Sequence, residues 1–174
     1  MPSPLNVLLI GYGAMGSTLA RAVESDPGIR ISQVLARSGS HEKIRARLDG
    51  SVALIASAAE VAKNVTCAVE CAGHAAVREH VPALLRLGVD VMLASVGSLS
   101  EPGLPELLEG AAKEGGAQLT LIPGAVAGID ALAAARPHGL DWVEYVGRKP
   151  PLGWRDTAAE TLTRLEQLTS EFVI

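Results

Sequence analysis

The sequence predicts an α/β fold built on a doubly wound parallel sheet, and three observations carry that expectation. Short, near-continuous apolar runs alternate with segments of helical period, as parallel strands covered on both faces by helices require. The first run passes through a glycine-rich turn directly into an amphipathic segment. Hydrophobic residues make up 48% of the 174 residues and aromatics only 3%, so the core is expected to be aliphatic. That length suits one well-buried domain and the start of a second.

The first strand is Leu5–Ile10. The first helix, Ala14–Ser25, carries Met15, Leu19, Ala22 and Val23 along one face. Ile29–Ala36 follows as a strand and Val52–Ile55 as a weaker one. Val65–Cys71 leads into a helix over His74–Leu87, whose Val77, Val81, Leu84 and Leu85 share a face and whose end is marked by Gly88. Pro82 falls inside it, which predicts either a kink or a start nearer Pro82. Val89–Ala94, a helix over Leu104–Glu114 and the strand Ala117–Ile122 complete the alternation.

After Pro123 the pattern changes. Gly124–Ala135 reads as a loop entering a helix, and His138–Arg148 alternates like a strand of a different sheet. The expected division is a first domain over 1–136 and the incomplete start of a second, α+β domain over 137–174. The chain finishes on Phe172-Val173-Ile174, an apolar ending that reads as a strand cut short.

The formal net charge is −4 and there is no basic stripe, so nucleic acid is not an expected partner. No apolar run reaches the ~18 residues of a membrane span. The start MPSPLNVLLIGYG lacks the charged region of a secretory leader, so the expectation is a cytoplasmic enzyme. Cys67 and Cys71 stand on one strand, roughly 13 Å apart if it is extended, too far for a disulfide. No His/Cys cluster has zinc spacing, and no metal is expected.

Gly11-Tyr12-Gly13-Ala14-Met15-Gly16 fits G-x-G-x-x-G between a strand and a helix, the context in which this motif binds a dinucleotide. Gly11 permits the tight turn, Gly13 lets a pyrophosphate approach the backbone, and Gly16 lets helix and strand pack closely. The free N–H groups at the helix start then meet the phosphates. The expected fold is thus Rossmann-type. NAD enzymes usually place a carboxylate ~20 residues further on, at the end of the second strand. Here that strand ends Val34-Leu35-Ala36-Arg37-Ser38. Arg37 can pair with a 2′-phosphate and Ser38 can donate to it, which favours NADP, or tolerance of both NAD and NADP. The alternative is that Arg37 is a solvated loop charge. The loops after the later strands, Glu70–His74, Ser95–Leu99 and Ile122–Asp130, are built of small residues and suit backbone close to a flat ring.

The glycine loop, ECAGHAAVREHVPALLRLG, VMLASVGSL, IPGAVAGIDAL and GRKPPLGW occur in the order found in the L-aspartate dehydrogenase family, and the chain resembles that family along essentially its whole length. The resemblance implies NAD(P)-dependent oxidative deamination of L-aspartate to oxaloacetate and ammonia through iminoaspartate, linked to NAD biosynthesis. It implies a homodimer, cofactor contact by the backbone around Ala125, and a nicotinamide near Cys71-Ala72 and Ser95-Val96. The family's catalytic histidine and a cofactor-contacting asparagine come later than Ile174, so the chain is expected to be a truncated form that binds cofactor better than it turns over substrate. Two other readings stay open. One is a related enzyme of the homoserine dehydrogenase or dihydrodipicolinate reductase kind, and the other is a non-catalytic NADP(H)-binding module.

His74, at a helix start near the expected ring site, is a substitute catalyst or a loop-lining imidazole. His80 is expected on the polar side of its helix and His41 in a loop. Glu70, at a strand end beside the expected ring site, either orients a ligand or bonds backbone N–H groups as a satisfied strand-end carboxylate, the second being the expectation. Arg148 and Lys149 are the cations that could meet a dicarboxylate, or a solvated turn. Cys71 has no basic neighbour in sequence to make it a nucleophile.

Overall fold

The computed structural model of the chain describes residues 3–124, 128–155 and 157–173. It divides into two compact units, Met1–Ala127 and Gly128–Ile174.

The first unit holds a six-stranded sheet whose pairings are all parallel, in the order β3-β2-β1-β4-β5-β6. The strands are β1 (Leu5–Ile10), β2 (Ile29–Leu35), β3 (Ala53–Ile55), β4 (Cys67–Glu70), β5 (Asp90–Leu93) and β6 (Leu119–Leu121). Each lies within the stretch its apolar run predicts. The helices are α1 (Ala14–Val23), α2 (His41–Arg45), α3 (His74–Arg86) and α4 (Leu104–Gly115). The doubly wound α/β architecture is therefore the observed one.

Alternation along the strands divides the core in two. Leu8, Ile10, Leu35, Ile55, Ala68, Val91 and Leu93 belong to the larger cluster. It also takes in Val77, Val81, Leu84 and Leu85 of α3 and Leu104, Leu108 and Ala111 of α4. Leu9 and Val34, from the other face, meet Leu19 and Ala20 of α1. The stripe read for α3 is the buried one, whereas of the α1 stripe Leu19 and Val23 are half-buried and Met15 and Ala22 are exposed.

Three expectations need correction. The helix containing Pro82 does not start near that residue; it begins at His74 and carries Pro82 as a buried interior position. His41 is not in a loop: it is the first residue of α2. That helix has one buried residue, Ile44, too few to produce a visible period. The segment His138–Arg148 forms no strand. A 3-10 turn covers Arg136–His138, and residues 139–150 pair with no strand among the described residues. Its alternation is real, but Trp142, Tyr145 and Val146 are 73–79% exposed, and a strand needs a ladder partner to form. The second unit otherwise contains α5 (Ile129–Ala135), α6 (Ala159–Leu162) and short 3-10 turns. No helix among the described residues is long and apolar enough to cross a membrane.

Helices α3 and α4 pack so closely that a β-carbon on Gly115 would sit 1.9 Å from the Leu85 carbonyl oxygen, whereas one on Gly110 would meet nothing within 4 Å. Gly115→Ala is therefore expected to destabilise the fold by about 2 kcal/mol or more. Gly110→Ala should stabilise it by about 0.5–1 kcal/mol by removing the entropic cost of a helical glycine. Urea unfolding followed by circular dichroism checks both signs.

Candidate functional site

Strand order reverses between β1 and β4, and a cleft of about 730 Å³ opens at the carboxyl ends of the strands there. Its floor is the turn from β1 into α1. Gly11 has φ 87°, a conformation that side chains other than glycine's rarely adopt, and a β-carbon on it would lie 2.7 Å from that of Ala72. A β-carbon on Gly16 would lie 2.3 Å from the Gly11 carbonyl oxygen. These two glycines let turn, helix and neighbouring strand close on one another.

Gly13 differs. Nothing stands within 4 Å of the position its β-carbon would take. It is the N-cap of α1 without a side-chain capping bond, and the first turn holds no acidic residue. The helix start thus presents uncapped N–H groups and a partial positive charge to open space, the arrangement a pyrophosphate fits.

Of the residues the sequence singles out, Gly11, Gly13, Ala14, Arg37, Cys71 and Ala72 line this cleft. Gly16 is buried beneath it and Met15 points away into solvent. Ser38 is exposed at the start of a 3-10 turn, while Ser40 lines the cleft. Ser95 and Val96 follow β5, outside the lining residues. Ala125 and Ile174 lie outside the described residues.

Three lining residues were not legible as such. Lys43 and Arg47, four positions apart, line the cleft beside Arg37, and His80 closes its α3 side. His80 was expected on a polar face, yet its side chain is only 12% exposed. Lys43 stands on α2 and Arg47 two residues past its end, so no helical spacing marks the pair in the sequence. Arg37, Lys43 and Arg47 make the β2 side of the cleft cationic; among its described lining residues the one carboxylate is Glu79, on α3. His41, whose Nε2 lies 2.8 Å from the Ala36 carbonyl oxygen, pins the end of β2 to the start of α2.

Glu70 is fully buried at the end of β4, and its carboxylate accepts from Ala72 N (2.7 Å), Gly73 N (2.8 Å), Ser95 N (2.9 Å) and Ser95 Oγ (3.0 Å). The expectation of a locally satisfied carboxylate holds. His74 is exposed at the start of α3, and its ring lies against the next loop, 3.0 Å from where a β-carbon on Gly97 would sit. In the second unit, Arg148 pairs with Glu171 at 2.7 Å and Lys149 stands over the Trp154 ring at 4.8 Å. No group of three or more metal-ligating side chains occurs among the described residues.

Residues 11–121 match the family model described as the homoserine dehydrogenase NAD binding domain. L-Aspartate dehydrogenases of Pseudomonas aeruginosa and Cupriavidus taiwanensis are 42% and 43% identical to this chain over 98% of its length. The chain spans 64% of the length of each of these curated relatives. Among solved structures, the aspartate dehydrogenase of Thermotoga maritima superposes with a TM-score of 0.57 at 24% identity, over 76% of this chain and 52% of that one. An engineered D-amino acid dehydrogenase bound to NADP+ does so with a TM-score of 0.55 at 21% identity, over 76% and 41%. Both share the fold.

Burial, and then the Glu70 carboxylate, push the Cys71 thiol above its ordinary range; burial, and then Asp90, do the same for Cys67. A raised pKa means less thiolate at neutral pH. Both thiols are therefore expected to alkylate with iodoacetamide at pH 8 about threefold or more slowly than a free cysteine, the rate climbing at higher pH. Rapid modification of Cys71 at pH 7, read by peptide mass spectrometry, would contradict this.

Proposed function

We propose, for a chain that belongs to the family of the homoserine dehydrogenase NAD-binding domain, that it forms the cofactor-binding part of an L-aspartate dehydrogenase using NADP in preference to NAD. The observation that carries the cofactor reading is the uncapped start of α1 at Gly13, open to the cleft and flanked by cations. The substrate reading rests on the L-aspartate dehydrogenases that match 98% of the chain.

On this reading Gly13 admits the pyrophosphate to the N–H groups of α1, and Gly11 and Gly16 hold the turn closed beneath it. The adenosine half runs toward β2. Arg37, Lys43 and Arg47 bind the 2′-phosphate there, and the missing carboxylate at the end of β2 removes the usual partner of an unphosphorylated ribose. The other half runs toward β4 and β5, past Cys71-Ala72 to Ser95-Val96. The bound nicotinamide supplies hydride acceptance and donation. Residues of this chain bind and orient it. The proton transfer of the oxidative deamination of L-aspartate is assigned to a histidine beyond Ile174, and His74 is a bystander.

Titration of the chain with NADPH and NADH, followed by nicotinamide fluorescence, tests the reading. NADPH is expected to bind more tightly. Arg37→Ala should weaken NADPH about tenfold, the loss of a charge-assisted hydrogen bond, and leave NADH within about twofold. Tighter binding of NADH, or equal loss of both, would contradict the 2′-phosphate assignment. Reduction of NADP by L-aspartate with this chain alone would contradict the assignment of proton transfer to a later residue.

A further inference from the structure

Among the described residues the charged side chain most completely withdrawn from solvent is that of Glu70, and the binding of pyrophosphate and 2′-phosphate gives it no task. Burying a carboxylate is costly unless donors satisfy it. Among the described residues no cation lies within ion-pairing distance of it; three backbone N–H groups and one hydroxyl take that place. The donors come from two loops, one directly after β4 and one after β5, where Ser95 stands 25 residues along the chain from Glu70.

The β4 loop lines the cleft through Cys71 and Ala72, and the β5 loop follows the neighbouring strand, beyond the lining residues. The β4 loop abuts the glycine turn through the contact between Gly11 and Ala72. The β5 loop begins at Ser95, whose carbonyl oxygen accepts from both Ser98 N (3.0 Å) and Ser98 Oγ (2.7 Å), and continues into a 3-10 turn over Val96–Ser100. Gly97 of that turn lies against the His74 ring. Glu70 is where these pieces are joined. Its Oε1 takes the N–H groups of Ala72 and Gly73, just ahead of α3.

We infer that Glu70 is a positioning residue for the nicotinamide half of the cofactor: its buried carboxylate ties the loop after β4 to the loop after β5, and so sets the backbone gap in which the ring is held. The inference rests on the cofactor reading above. It assigns Glu70 no contact with the cofactor. In Glu70→Gln, Oε1 remains an acceptor for the β4 loop and for the Ser95 hydroxyl, but an amide NH2 faces Ser95 N–H, donor against donor, and the backbone bond that ties in the β5 loop is lost.

The test compares two probes on the wild-type chain and its variants by calorimetry. NADPH fills both halves of the cleft; 2′,5′-ADP carries the adenosine and its 2′-phosphate but no nicotinamide. Glu70→Gln is expected to weaken NADPH about tenfold and to leave 2′,5′-ADP within about twofold. Ser95→Ala, which removes one donor from a half-buried position, should show the same split at about threefold. It carries the test if Glu70→Gln does not fold. Equal weakening of both probes would mean a fold-wide role and overturn the inference, as would unchanged binding of NADPH by both variants. Failure of the unsubstituted chain to bind 2′,5′-ADP would overturn the cofactor reading itself, and is recognised before any substitution is made.

Discussion

The first N–H groups of a helix have no partner within the helix, and something must accept from them. Two helices begin side by side where the strand order reverses, α1 after β1 and α3 after β4. Neither N-cap, Gly13 or Gly73, makes a side-chain capping bond, but the chain leading into each helix is held differently. Ahead of α3 the buried Glu70 carboxylate takes the N–H groups of Ala72 and Gly73, the two residues that precede the helix. At α1 the chain supplies nothing: Gly13 has no side chain, no cap is made, and the space beyond is clear. The turn before α3 is tied to a buried carboxylate, while the start of α1 lies open to the cleft. On the proposed reading a dinucleotide runs from the cations at β2 across the start of α1 to the loops after β4 and β5.

The glycines enforce it at close range. A β-carbon at Gly16 or Gly11 would meet backbone or Ala72 within 3 Å, so each keeps two elements in contact; Gly13 keeps a space empty. The three positions of one motif thus serve packing twice and access once. The same split would appear in stability and in binding, since a methyl group at Gly16 disturbs the fold while one at Gly13 enters only the cleft.

Much of this was legible in the sequence because it is local. A strand-turn-helix with glycines at fixed spacing places its own groups, and the aliphatic runs fix which strand faces meet which helices. Glu70 could be read as satisfied by local donors because two of them are two and three residues away. Its bonds to Ser95, 25 residues on, depend on β4 and β5 being neighbours in the sheet, which no local pattern states. The places of Lys43 and Arg47 in the cleft lining were hidden for a related reason: α2 is five residues long, buries only Ile44 and ends before Arg47, so it has no period to detect. His80 was misplaced because its neighbours Glu79 and Arg78 make that stretch look solvent-facing, while the helix turns the imidazole toward the cleft. The segment 139–150 shows the converse failure. Alternation there is clear, but a strand is defined by its partner, and among the described residues it has none.

Amide chemical shifts of the 15N-labelled chain, recorded as NADPH is added, test the central claim most directly, because they report the phosphate seat residue by residue. The account predicts that the largest changes fall on the N–H groups of Gly13, Ala14, Met15 and Gly16 at the open start of α1. Ala72 and Gly73, held by Glu70, should shift less. Perturbations centred on Ala72 to Ala75, with the α1 amides unmoved, would place the phosphates at the other helix start and contradict it.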